Sequence, residues 1–185
     1  MKIYLKNKCD RTGVKVEPPK QANLTDSGFD IISVSEPEII GESIELPMDG
    51  GRLYKRIDFI QYRTNLQFAY ENENDYLQIY PRSSITKYNL ILKNCVPIID
   101  NGFRDSVLLR FSYVIQPEDL RIIPEYGINR IYCSVNQDKI YQKSNKIAQI
   151  IPATRAEVNF ELIDKLPDSI RGNSGFGSSD KQIVV

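Results

Sequence analysis

Val96-Pro97-Ile98-Ile99-Asp100-Asn101-Gly102-Phe103-Arg104 carries an apolar strand into a tight turn, with a carboxylate at its end and an aromatic ring and a guanidinium just beyond. Taken alone, the stretch reads as a β-hairpin with arms at 91–99 and 103–115. Asn101-Gly102 between two apolar runs is a strong turn signal, because both central residues of a type I′ turn need positive φ. On that reading Asp100 is a turn residue that bonds its own backbone.

Outward from this stretch the chain keeps the same texture. Residues 1–8 alternate as a strand would, and 14–16 form a second short one that Pro18-Pro19 ends. Further strands are expected at 39–46 and 53–64, at 66–70 and 76–80 (paired across the polar run 71–75), and at 128–135, 139–142 and 146–152. Pro117-Glu118-Asp119-Leu120 suits a helical turn. Residues 82–89, after Pro81, are the place near the middle for one short helix, with Ser83 or Ser84 as its cap. Residues 156–162 alternate weakly, and 170–179 are Gly/Ser-rich and polar. Short strands, frequent turns and almost no helical periodicity predict an all-β sandwich or barrel. With 185 residues, no internal repeat and no dividing linker, one domain is expected.

Composition excludes several chemistries. The absence of histidine removes Ser-His-Asp and Cys-His catalysis and the commonest transition-metal ligand, which leaves carboxylates and hard cations such as Mg²⁺. Twenty-four acidic residues balance twenty-four basic ones, so a nucleic-acid partner gripped by bulk charge is not expected. Cys9, Cys95 and Cys133 are odd in number and scattered, which suits a reducing interior and neither a disulfide frame nor a zinc site. No run approaches a membrane span, and the charged residues 1–6 do not read as a signal peptide. A cytoplasmic setting is expected, or a host-intracellular one for a viral source.

Four other segments bear on the central stretch. Ser27-Gly28-Phe29-Asp30 re-enters apolar alternation after a polar run. Pro81-Arg82-Ser83-Ser84 sets a guanidinium and two hydroxyls where free N–H groups favour anions, and equally reads as an ordinary Ser cap. Lys146-Ile147-Ala148-Gln149 is a strand ending in an amide, or plain strand. Arg171 to Ser179 has the composition of a linker, yet such a Gly-rich loop can fold over phosphates with Arg as clamp and Phe as lid.

In this order the segments resemble the five short motifs of the homotrimeric dUTP pyrophosphatases (dUTPases), over most of the chain. The resemblance implies a jelly-roll-like β domain over 1–169, a flexible C-terminal arm at 170–185 closing over a neighbour's site, and a trimer with shared active sites. It implies Mg-dependent hydrolysis of dUTP to dUMP and pyrophosphate. Asp100 is then the base that deprotonates a water for in-line attack on the α-phosphorus, and Arg171 stabilises charge from the arm. Arg82, Ser83, Ser84 and Gln149 grip phosphates. Asn94 and the backbone up to Ile99 read uracil; Phe103, where the family usually has Tyr, packs under the deoxyribose, with Arg104 beside it. Phe176, Gly177 and Ser178 cover the nucleotide, and Asp30 holds Mg²⁺ through water.

Three departures stand out: Asp105 replaces a usual Gly, Ser144-Asn145 replaces Gly and an acidic residue, and Asp180 follows Ser179 in place of Gly. Asp105 raises the expectation of a carboxylate pair with Asp100. Extra length is expected as surface excursions at about 47–75 and 117–142, where a protein partner could bind. The alternatives are a dUTP-binding regulatory protein without hydrolysis and, lower, the related dCTP deaminase branch, whose aromatic-rich segment and catalytic Glu are not apparent. A purely structural jelly roll comes last.

Overall fold

The computed structural model describes residues 1–9, 12–45, 51–125, 127–169 and 172. The strands are β1 (Ile3–Leu5), β2 (Phe29–Ile32), β3 (Glu38–Glu45), β4 (Arg52–Arg63), β5 (Phe68–Tyr70), β6 (Asp75–Tyr80), β7 (Leu90–Leu92), β8 (Ile98–Ile99), β9 (Leu108–Tyr113), β10 (Leu120–Glu125), β11 (Ile128–Cys133) and β12 (Lys146–Thr154). Three 3₁₀ turns, Ser83–Lys87, Pro117–Asp119 and Gln137–Lys139, are the helical elements among the described residues. The fold is all-β, as the alternation predicts, and jelly-roll-like in its layered sheets.

One sheet runs β10-β11-β4-β9-β7, with β3 along the other side of β4. A second runs β2-β12-β6-β8, and β1 pairs with β5 as a separate ribbon. Both large sheets turn apolar faces inward. Ile60, Tyr62, Leu109 and Phe111 from the first share a core with Ile31, Leu77, Ile79, Ile147 and Ile150 from the second. Tyr62, Phe111 and Tyr141 meet edge to face, and the buried Tyr62 hydroxyl donates to the Tyr141 carbonyl at 3.0 Å.

The central hairpin forms only at its base, where β7 and β9 pair within the expected arms, Ile91 opposite Ser112 and Leu92 opposite Phe111. β8 leaves β9 and pairs with β6, Leu77 opposite Ile99, while β9 pairs with β7 and β4. Asp100 to Phe103 is a turn closed by the Phe103 N–H on the Asp100 carbonyl at 3.1 Å, and neither Asn101 nor Gly102 has positive φ. A type I′ turn matches the twist of two paired strands. Here the chain crosses from one sheet to the other, so nothing demands that turn.

Other pairings also differ. β5 and β6 are not partners: β5 joins β1, and β6 lies between β12 and β8. The helix expected at 82–89 is a 3₁₀ turn whose N-cap, Arg82, makes no side-chain cap bond. Of residues 139–142, Lys139 ends the last 3₁₀ turn and the rest follow it with no strand; Ile140 and Tyr141 are apolar there because they enter the core. β10, which contains Pro124, pairs with β11 as an exposed hairpin within the 117–142 region. Asp119 anchors its base, accepting from the Tyr113 hydroxyl at 2.8 Å and the Gln116 N–H at 2.9 Å.

Residues 1–155 form one compact unit and residue 156 begins a second. In the second, the described residues have no strand. Val158, Phe160, Leu162 and Leu166 are 66, 91, 100 and 76 % exposed.

Candidate functional site

Three sequence-distant segments meet around Asp30. Pairing with β12 sets Asp30 opposite Gln149, and Gln149 also lies opposite Tyr80 on β6, two residues before Arg82. Arg82 Nε stands 2.7 Å from Asp30 Oδ1, and Lys146 Nζ stands 2.7 Å from Asp30 Oδ2. The second contact is an ion pair without hydrogen-bond alignment, so the buried Oδ2 makes no hydrogen bond. Arg82 Nη1 donates to Ser84 Oγ at 3.3 Å, and Gln149 Nε2 donates to the Pro81 carbonyl at 3.2 Å.

Gly28 lies hard against this cluster. A Cβ there would fall 2.3 Å from Gln149 Oε1 and 3.1 Å from Gln149 Cβ, so only glycine lets the amide lie where it does. The result is two cations, a hydroxyl and an amide gathered on one carboxylate, chemistry suited to a polyanion such as a phosphate chain. Tyr141 backs the cluster. Burial pushes its phenol up to about 12 and nearby Tyr88 adds to this, while Arg82 and Ser84 pull the other way.

Asp100 sits elsewhere. It is exposed at the end of β8 and opens into a cavity of 590 Å³ beside Tyr76, Ile98 and Arg155. Tyr76 lies near one end of β6 and Arg82 two residues past the other, and at about 3.3 Å per residue the stretch between them spans roughly 20 Å. Asn94 and Phe103 line a separate cavity, of 460 Å³, with Lys93, Asp105 and Arg110. One chain therefore brings together Asp30, Arg82, Ser84 and Gln149, and separately Asn94 with Phe103. It does not bring Asp100 to the cationic cluster. Ser83 begins the 3₁₀ turn; Ile99 is buried; the Arg104 guanidinium folds back on the Asn101 and Phe103 carbonyls. Arg171, Phe176, Gly177 and Ser178 lie outside the described residues.

The departures acquire physical content. Ser144 has φ +70°, the left-handed region where glycine is favoured, and its N–H still donates to the Ser33 carbonyl at 2.8 Å. Asp105 does not have positive φ, and its carboxylate accepts from the Ser106 N–H at 2.6 Å. Sequence reasoning missed Lys146 as part of the charge cluster. Its signal was a cation beginning the same strand that carries Gln149.

No group of three or more acidic, His or Cys side chains that could hold a metal occurs among the described residues. Asp30, with two cations 2.7 Å away, is unsuited to direct ligation. With both oxygens facing cations, Asp30 could reach a metal ion only through water. Among the described residues no helix is long and apolar enough to cross a membrane.

No protein-family model matches the chain. A deoxyuridine 5′-triphosphate nucleotidohydrolase of Crocosphaera subtropica is 26 % identical over 162 residues, covering 87 % of this chain and 89 % of that protein. The Clostridium acetobutylicum protein of the same name is 28 % identical over 163 residues, 87 % of each. Among solved structures, the dUTPase of Staphylococcus bacteriophage 80alpha with dUPNHPP superposes with a TM-score of 0.64 at 18 % identity, over 96 % of this chain and 98 % of that one. The dUTPase from phage phi11 of S. aureus gives 0.58 at 15 %, over 90 % and 98 %. The chain is thus similar in sequence, along most of its length, to curated dUTP nucleotidohydrolases, and in fold, along nearly all of it, to solved phage dUTPases.

Proposed function

We propose that this protein is a dUTP diphosphatase, hydrolysing dUTP to dUMP and pyrophosphate in a homotrimer whose active sites are shared between subunits. The observation that carries the reading is the cluster of Arg82, Ser84, Lys146 and Gln149 around Asp30, built from three of the resembling segments. It is a phosphate grip by its chemistry, and curated relatives named for dUTP hydrolysis match along the same length.

In the reaction a water oxygen bonds to the α-phosphorus as the bond from that phosphorus to the bridging oxygen of the β-phosphate breaks. Asp100 takes the water's proton, a role worth roughly 10²–10⁴ in rate for a well-placed base. Arg82, Ser83, Ser84 and Gln149 hold the phosphates in line, and Arg171 adds positive charge from the arm. Asn94 and the Ile99 backbone read uracil, Phe103 packs under the sugar beside Arg104, and Phe176, Gly177 and Ser178 cover the nucleotide. Mg²⁺ would accompany the triphosphate, with Asp30 reaching it through water, and would supply counter-charge to the phosphates.

Distance supports sharing. A base must come within about 3 Å of the proton it removes, whereas Asp100 follows Ile99, which lies opposite Leu77 near one end of β6, and Arg82 lies two residues past the other end, roughly 20 Å along the strand direction. An Asp100 from one chain beside an Arg82 from its neighbour removes the conflict. The exposed Val158, Phe160, Leu162 and Leu166 favour the same assembly, since an apolar run this bare calls for a covering partner.

Pyrophosphate release from dUTP, dCTP, dTTP and UTP with Mg²⁺, for wild type beside Asp100→Asn, tests the reading. Release from dUTP alone, lost in the variant, is expected. Tight dUTP binding with no release from any nucleotide would favour a regulatory binding protein instead.

A further inference from the structure

The turn that carries Asp100 is tied at both shoulders to one neighbouring strand. The buried Tyr70 hydroxyl donates to the Ile99 carbonyl at 2.8 Å. The buried Gln67 amide donates to the Arg104 carbonyl at 3.0 Å. Between them, Asn101 Nδ2 donates to the Asn72 carbonyl at 2.9 Å. All three anchors come from β5 and the residues flanking it. β5 pairs with β1 alone, Tyr70 opposite Ile3, so this ribbon supports the turn from outside both large sheets.

We propose that Tyr70, assisted by Gln67, is a positioning residue for Asp100: its hydroxyl fixes the carbonyl adjoining the base and so sets where the carboxylate meets the attacking water. The inference rests on the reading of Asp100 as that base. Two features make Tyr70 suited to the task. β8 is two residues long and meets β6 at Leu77 and Gln78 alone, so its pairing stops short of Asp100. Tyr70 is also a permanent donor at working pH. Burial pushes its phenol up to about 12; Asp100 adds to that rise and Arg104 opposes it, which also marks both ends of the turn as its neighbours.

Losing the Tyr70 hydroxyl leaves the ring in the core and the Ile99 carbonyl without its donor. A small misplacement of a reacting group can cost up to about 100-fold in rate with little loss of binding. The test compares Tyr70→Phe with Tyr113→Phe, which removes a buried tyrosine hydroxyl bonded to Asp119 at 2.8 Å, remote from the turn. Asp100→Asn is run alongside, below the melting temperature of every variant. The proposal expects Tyr70→Phe to lower kcat by about tenfold or more at unchanged dissociation constant for a non-hydrolysable dUTP analogue, and Tyr113→Phe to change kcat less than about twofold. A wild-type kcat in Tyr70→Phe, with Asp100→Asn inactive, overturns this inference alone. Equal kcat losses in both tyrosine variants also overturn it, as a general loss of rigidity. Full activity in Asp100→Asn removes the base itself and the inference with it.

Discussion

Arg82 Nε lies 2.7 Å from Asp30 Oδ1, and the same carboxylate faces Lys146 on its other oxygen. Asp30 thus holds two cations, one from the cap of a 3₁₀ turn and one from β12, in one place. In Asp30→Asn the cluster gains net positive charge and loses the group that orients it. We expect a dUTP analogue to bind at least as tightly while kcat falls about tenfold or more, since orientation is what the carboxylate supplies. Titration of the analogue beside steady-state kinetics reads both. Weaker binding with unchanged kcat would contradict this role.

Gly28 and Gln149 make a second coupled pair. In Gly28→Ala the new Cβ meets Gln149 Oε1 at 2.3 Å, so the amide must leave and its bond to the Pro81 carbonyl with it. The expected cost is about 1–3 kcal/mol, as for overpacking elsewhere. Thermal unfolding of Gly28→Ala against Gly28→Ala/Gln149→Ala checks the cause. The double variant should recover most of the loss, because Gln149 Oε1 and Cδ are gone and only the tight 3.1 Å contact with its Cβ remains.

Ser144 stands at φ +70° with its hydrogen bonds in place. Left-handed backbone costs a non-glycine residue about 1–2 kcal/mol, and glycine's extra freedom in the unfolded chain returns about 0.5–1 of that. Ser144→Gly is therefore expected to stabilise by about 0.5 kcal/mol, a rise of roughly 1–2 °C in Tm. A fall in Tm would show that the Ser144 side chain contributes something that backbone relief does not replace.

Alkaline pH should weaken the fold. Burial is the leading cause of the raised phenols of Tyr62, Tyr70 and Tyr141, the latter two pushed up to about 12. Their folded pKa values stand above the ordinary value of 10, so their contribution is fully present below pH 10 and is lost as pH rises through 12. Denaturant midpoints measured from about pH 8 to 12 should fall steeply only in the upper half of that range. In Tyr70→Phe the slope should be shallower.

The fold class was legible because period-2 alternation is local. It gave β4 at 53–64 against the observed Arg52–Arg63, and β12 at 146–152 against Lys146–Thr154. Partners were less legible, because pairing depends on segments far apart in the chain. Asn101-Gly102 lies midway between the paired β7 and β9, yet β8 leaves β9 for β6, so no type I′ tip forms. β10 was missed because Pro124 and flanking charges break its apolar pattern, which an exposed hairpin does not need. In the candidate site, the residue types of Asp30, Arg82, Ser84 and Gln149 pointed to phosphate chemistry. The ion pairs of Asp30 and the tethers from Gln67 and Tyr70 span 29 or more residues and left no local trace.

Shared active sites are the centre of the account, and mixing two inactive variants tests them most directly. Asp100→Asn and Arg82→Ala chains, each inactive alone, are unfolded together, refolded at equal ratio and assayed for dUTP hydrolysis, with mixed assemblies verified by mass. If each site takes its base from one chain and its Arg82 from another, random mixing should restore about one quarter of wild-type activity. Verified mixed assemblies with no activity would mean that base and phosphate grip serve the same chain, and the proposed division of the site between subunits would be wrong.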